Sequence, residues 1–393
     1  MSSPPPEPLP PAPEGHVGLV VILEPRLYLE IPISQIRLLC LKPLKYLIFL
    51  GWCILGREGR LAPDRPDCTP LEDLSGELVD GGLYYYILTP MSEVEGDLDY
   101  VVDLEVIKME SAVPSEITTS RNDFHEKLLE RDGFCVFSGA PADVCQAAHI
   151  IPYARGSEWF QTIVQNRQPH EENVDNLTDI NDVRNGLLLG LLHARFDRRM
   201  AVILKTPNHC LDVGDVPPCA VQPLVVLDPS VSYPRDDRYS LQWLEDPGLY
   251  MSTTLPYNLD AAFNRQSQEP KPSALLLHYN YGAAAVKQWG CGLEALKTHK
   301  YHTRPKAPEP VAMGPPKSQH DRIVKLDATK NPTSGEQHRD WSEGIVQSEH
   351  QTQWDEHDLM FFILTNSPAA KARRHKEEQE KQESLERWRQ GIV

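Results

Sequence analysis

Cysteine is sparse and scattered: eight residues, at positions 40, 53, 68, 135, 145, 210, 219 and 291, form no CxxC pair and no tight framework. That excludes a disulfide-stapled secreted domain and leaves a reducing compartment as the expectation. Basic residues are outnumbered, 39 Lys and Arg against 56 Asp and Glu, for a formal net charge of −17. A chain with that balance does not coat nucleic acid through its overall field. A local basic groove, or a metal ion bridging acidic surface to phosphate, acts at short range and stays open. A basic segment leading into an apolar one is missing from the start, where MSSPPPEPLPPAPEG stands instead. Residues 1–15 therefore read as a disordered proline-rich lead, and the expected location is intracellular, nucleus or cytoplasm, not secreted. There is no long uninterrupted apolar run either. Leu38–Leu55, LLCLKPLKYLIFLGWCIL, has about the length of a span but carries Lys42, Pro43 and Lys45 in its first half, so it reads as a buried strand or helix, with no membrane partner. Internal repeats, zinc-finger spacing, a basic recognition helix and an aromatic–basic platform are all lacking, which excludes the common ways of reading a specific base sequence.

What is present suffices for about two or three domains with real cores, since 40% of the 393 residues are hydrophobic. From 16 to 110 the chain reads as a β-rich N-terminal domain, with HVGLVVILE, RLYLEI, KYLIFLGW and GGLYYYILTP as strands between Pro- and Gly-bearing turns. Ser and Thr residues from 111 to 120 mark a boundary, and NDFHEKLLER (122–131) reads as a short helix entering a unit at 121–216. In that unit DGFCVFSGAPADVCQAAHIIP is hairpin-like, a polar excursion follows, and GLLLGLLHARFD then precedes the strand MAVILK. Residues 217–304 read as a mixed α/β region, with strands in VQPLVVLDPS and YSLQWL and a long apolar helical pattern in SALLLHYNYGAAAVKQWG. Residues 305–355 read as a disordered linker, and 356–393 as an apolar patch, DLMFFILT, followed by a charged helical tail.

The chemistry-bearing residues lie in the middle unit. His149 closes the apolar run CQAAHII, and His193 and Asp197 stand four apart, which on a helix places them on one face. Imidazole near neutral pH suits a general base, and an imidazole with a carboxylate on one helical face suits a divalent ion. Each feature has a plainer reading beside it. His149 alone reads as a strand-end histidine, Asn185-Gly186 as a tight turn, His193 with Asp197 as an exposed i,i+4 pair, and Asp182 with Arg184 as an ordinary ion pair. Cys135 and Cys145 read as buried small hydrophobes rather than zinc ligands. Arg155, Arg184, Arg195, Arg198 and Arg199 are candidates for phosphate contacts, or for pairing with Glu171, Glu172, Asp175 and Asp179.

The succession CVFSG, AAHIIP and RNGLLLGLLHARFD resembles the HNH nuclease family, in the form common among uncharacterised fungal proteins. The resemblance covers roughly 70 residues, Cys135 to about Val202. It implies an α+β chain in which a small ββα-metal module of HNH type is flanked by a β-rich N-terminal region and a partly disordered, helical C-terminal region. It also implies a divalent-metal-dependent endonuclease acting on nucleic acid, DNA ahead of RNA. His149 then resembles the general base and Asn185 the central asparagine, both catalytic. His193 and Asp197 resemble the metal ligands, for Mg²⁺ first and Mn²⁺, Ni²⁺ or Zn²⁺ after it. One position departs from the pattern: Ala148 stands where family members often carry a further ligand. Three readings follow from it. The ion is held by His193, Asp197 and water, or His149 itself binds it, or the module is inactive and serves binding or scaffolding.

Overall fold

A continuously buried apolar run makes β1 (His16–Ile22) and an alternating one makes β2 (Leu27–Pro32), the two paired antiparallel with Leu19 opposite Leu29. Two helices follow, α1 (Ile33–Leu39) and α2 (Pro43–Leu55), set at 90° to one another. Strands β3 (Gly59–Pro63) and β4 (Leu83–Leu88) pair antiparallel, and β4 runs parallel to β1. The sheet closes with residues from far along the chain, because β12 (Gly290–Cys291) pairs with β2, giving the order β12-β2-β1-β4-β3. These relations come from a computed structural model that describes residues 9–22, 26–88, 101–103, 106–107, 119–167, 174–219, 231–232, 237–264 and 267–298, all within one unit, Met1–Met313.

One expectation for this region is corrected. KYLIFLGW, read as a strand, is the body of α2. An apolar run has no period that separates a buried strand from a buried helix, and here the ends decide. Pro43 occupies the first turn, where its missing N–H costs nothing, and Gly56 closes the helix in the left-handed region at φ 70°. The burial expected of the run is present, with Tyr46, Leu47, Phe49, Leu50, Cys53 and Ile54 fully enclosed. Among the described residues no single helix is long and apolar enough to cross a membrane. Residues 9–15, grouped by composition with the disordered lead, are tied down: Ala12 N donates to Gly81 O at 3.0 Å and Gly15 N to Asp80 Oδ1 at 2.7 Å.

The middle of the chain is a succession of short elements. These are α3 (Thr119–Asp132), β5 (Gln146–His149), α4 (Gly156–Asn166), β6 (Gly186–Leu189), α5 (His193–Asp197) and β7 (Ala201–Thr206). After them come β8 (Val231–Ser232), β9 (Arg238–Trp243), α6 (Gly248–Thr254), β10 (Leu259–Asp260), β11 (Phe263–Asn264), α7 (Ala274–Trp289) and α8 (Glu294–Thr298). Strands β5 and β6 form their own antiparallel pair, β7 joins β9 and β10 in a three-stranded sheet, and β8 pairs with β11.

Helix α7 holds the parts together. It packs on α2, β7 and β2, and its residues Tyr279, Tyr281 and Ala283 to Val286 are fully buried. Gly282 is what lets α7 approach α2: a Cβ there would lie 2.4 Å from the Cys53 carbonyl oxygen. Polar groups at this junction are satisfied in a chain. Tyr46 Oη and Tyr281 Oη lie 2.8 Å apart, Tyr281 donates to Gln242 Oε1 at 2.7 Å, and Gln242 Nε2 donates to Leu39 O at 2.8 Å. The whole is mixed α/β. The strand expected in Val221–Ser230, the linker at 305–355 and the patch and tail at 356–393 lie outside the described residues.

Candidate functional site

The two short strands and the short helix of the middle unit carry the family-like residues. β5 ends at His149, which sits opposite Gly186 at the start of β6, and α5, two residues short of a full second turn, carries His193 and Asp197 and packs on β5. A ββα order is therefore in place. Gly186 is required because α3 crosses above it, and a Cβ there would lie 2.4 Å from Phe124 Cζ.

Asn185 is completely buried and uses its whole amide to fix backbone. Its Oδ1 accepts from Ile151 N at 2.9 Å, while Nδ2 donates to Ile180 O at 2.8 Å and to Ile151 O at 3.2 Å. The side chain thus ties the segment after β5 to the loop before β6. His149 is half-buried. Its ring stacks on Phe124 with centroids 4.1 Å apart and planes at 14°, and Nε2 lies 3.1 Å from Asn181 Oδ1, to which it donates. His193 Nδ1 and Asp197 Oδ2 are 3.5 Å apart, a pair one helical turn long with both side chains partly exposed.

The five arginines divide by surroundings. Arg155 Nη2 donates to the buried carboxylate of Asp103 at 2.5 Å, and its guanidinium lies 4.5 Å over the Trp159 ring. Arg184 forms a fork with Asp182, Nε to Oδ1 at 2.9 Å and Nη2 to Oδ2 at 2.7 Å, and also donates to Asn176 Oδ1 at 2.8 Å. Burial works against the Asp182 carboxylate, but the bonds from the Arg184 side chain and backbone outweigh it and hold its pKa below the usual carboxylate range. Arg199 is buried with 4% exposure, and burial brings its pKa down to about 10. Arg195 and Arg198 are half-buried, on and just after α5. Of the carboxylates named as alternative partners, Glu171 and Glu172 lie outside the described residues.

The metal expectation is corrected. Among the described residues no group of three or more His, Cys, Asp or Glu side chains is placed to hold a metal ion. His193 and Asp197 make two donors facing each other. The position that could supply a third is Ala148, 1% exposed and packed into the core. A catalytic site of the zinc type takes three protein ligands, and a weakly held Mg²⁺ site depends on carboxylates this segment does not assemble. The donor set does not fit the group. The expected Mg²⁺, Mn²⁺, Ni²⁺ or Zn²⁺ cofactor, the metal-dependent endonuclease activity and the scheme in which His149 activates water beside an ion on His193 and Asp197 are therefore overturned. Cys135 and Cys145 do not change this, being buried thiols hydrogen-bonded to each other, and none of the eight cysteines is in a disulfide.

Reasoning from sequence missed the residues that hold this segment in place. Arg131 and Asp132 are 1% and 0% exposed and joined by two bonds, Nε to Oδ1 at 2.6 Å and Nη2 to Oδ2 at 2.8 Å. Arg131 also donates to the carbonyls of Val183 at 2.9 Å and Gly186 at 2.8 Å, and Asp132 accepts from Leu188 N at 3.0 Å. Adjacent opposite charges at the end of a polar helix look like solvated surface, so no sequence signal marks them as a buried clamp. Phe124, which receives His149, carries only the weak signal of an aromatic four residues before Leu128 in a mostly polar helix.

A family model described as HNH endonuclease matches residues 135–204. The match supports an HNH endonuclease domain region within the chain and does not extend to the flanking residues. No curated protein and no solved structure matches.

Proposed function

We propose that residues 135–204 act as a nucleic-acid-binding module of HNH type that does not cleave, engaging phosphates without a metal ion and preferring DNA to RNA. The observation that carries this reading is the division of labour among the motif residues. Asn185 is spent on three backbone hydrogen bonds and His149 on Phe124 and Asn181, so both serve the architecture. Arg195 and Arg198 stand half-buried, on and just after α5, within the matched segment. Guanidinium groups there suit bidentate contact to phosphate oxygens, which positions a duplex without reading its sequence. Arg155 and Arg184, engaged with Asp103 and Asp182, shape the rim instead.

Fluorescence anisotropy of one labelled sequence as DNA duplex, single strand and RNA duplex, in EDTA at about 50 and 200 mM salt, tests the reading. The expected result is salt-sensitive binding in EDTA, tightest for the DNA duplex, with no cleavage products. Replacing Arg195 and Arg198 together by alanine is expected to weaken it roughly 10-fold or more and to lower the salt slope by about 2. Absence of binding to any of the three at the lower salt overturns the reading. It would leave the module a scaffold, the role the net charge of −17 favours.

A further inference from the structure

Largely outside the family-like segment, which contributes Arg167, the ends of five elements enclose a cavity of about 260 Å³. Trp52 and Gly56 come from the end of α2, Arg167 from the end of α4, Lys205 and Pro207 from the end of β7, Asp237 and Tyr239 from the start of β9, and Leu275 and His278 from the first turns of α7. At roughly 30 Å³ per water the space equals eight or nine waters, below the range of about 300–1,000 Å³ for drug-sized ligands.

Its lining has two characters. One part is aromatic: the Trp52 and His278 rings have centroids 4.8 Å apart and planes at 58°, and Tyr239 and Leu275 add to it. The other part is positive. Arg167, 4% exposed, lies across Gly56, whose absent Cβ makes the room: a Cβ there would be 2.9 Å from Arg167 Nε. Arg167 is oriented by Ile54 O at 3.1 Å and by the Tyr279 face at 4.5 Å. Lys205 Nζ stands 2.6 Å from Asp237 Oδ1, and Lys271 reaches the other Asp237 oxygen at 3.3 Å. Two lysines thus share the one carboxylate of the lining. The 16-residue helix α7 also begins here, and its N-terminus adds partial positive charge on the same side. Residues Ala274 and His278, four apart, face the cavity together.

We propose that this cavity is a binding site for a small, flat organic anion, an aromatic or conjugated carboxylate whose ring rests on Trp52 and whose charge is received by Lys205 and Arg167. A compact anion such as phosphate would leave the aromatic wall uncovered, and a neutral ring would leave the cations without an added partner. Carboxylate with a planar body satisfies both parts at once. The site is distinct from the nucleic-acid reading, because it uses neither Arg195 nor Arg198 and, apart from Arg167, its lining lies outside the matched segment, Lys205 being the first residue beyond it.

Titration calorimetry of the full chain with benzoate and indole-3-carboxylate, beside benzamide, indole-3-carboxamide and inorganic phosphate, tests the site. The expected result is saturable binding of at least one carboxylate, at least 10-fold tighter than its amide and than phosphate. Lys205→Met, on a rim residue whose loss leaves Asp237 with Lys271, is expected to weaken carboxylate binding about 10-fold without changing the amide. Ala274→Trp, which fills the space, is expected to abolish binding of both. Thermal melts establish that each variant is folded. No saturable binding of either carboxylate in the millimolar range overturns the proposal. Equal binding of amide or of phosphate, or unchanged carboxylate binding in a folded Ala274→Trp protein, overturns it equally.

Discussion

The family-like segment and the body around α2 and α7 make opposite use of their polar residues. In the first, a recognisable set of His, Asn and Asp is engaged with its own neighbours, with Asn185 bracing backbone, His149 stacked on Phe124 and His193 paired with Asp197. In the second, residues outside the motif, all but Arg167 beyond the matched segment, converge from five elements on one cavity, with Arg167 and Lys205 beside Trp52 and His278. The difference teaches that a motif reports descent of a local fold, while a site requires groups whose bonding capacity is directed at an empty volume. Residues pinned to neighbours on every side stabilise; residues gathered round a void can bind.

The comparison breaks first at Arg131. If the family-like segment is held by buried polar clamps, Arg131→Ala strands the Asp132 carboxylate and two carbonyls, and stability should fall by about 3 to 5 kcal/mol in urea unfolding. A loss below about 1 kcal/mol would show that the segment does not depend on that clamp. The body around α7 should respond to a change of a single methyl group. Gly282→Ala pushes a Cβ onto the Cys53 carbonyl, and overpacking of that kind costs about 1 to 3 kcal/mol. The same variant should weaken benzoate binding, because Trp52 and His278 flank that contact along α2 and α7. A protein that keeps both its stability and its benzoate affinity would separate the cavity from the helix contact.

The smallest effects are expected at the residues that most resemble a site. His193→Ala removes a partly exposed i,i+4 pair and should cost no more than about 0.5 kcal/mol. Mg²⁺, Mn²⁺, Ni²⁺ or Zn²⁺ should leave the melting temperature of the unaltered protein where EDTA leaves it, since only an ion bound to the folded state raises it. A rise of several degrees with one of these ions, lost in His193→Ala, would restore the metal centre.

Much of this protein is legible along the chain. The order of apolar segments, the helix entering the middle unit, the strand MAVILK as β7 and the apolar pattern that becomes α7 all follow from composition and period, because these are local properties. The failure at KYLIFLGW has a local remedy as well: Pro43 and Gly56 bracket the run as a helix's first turn and cap would, a signal that outweighs β propensity in a segment buried on all sides. The missing ligand is likewise written in the sequence, at Ala148. What no local reading could supply is whether another part of the chain brings a third donor to His193 and Asp197, whether Arg131 and Asp132 are surface or clamp, and which cations share a cavity with Trp52. Each is a question of convergence between residues tens or hundreds of positions apart. Packing decides such convergence, through contacts as particular as Gly186 beneath Phe124 and Gly282 against Cys53, and packing exists only once the chain has folded.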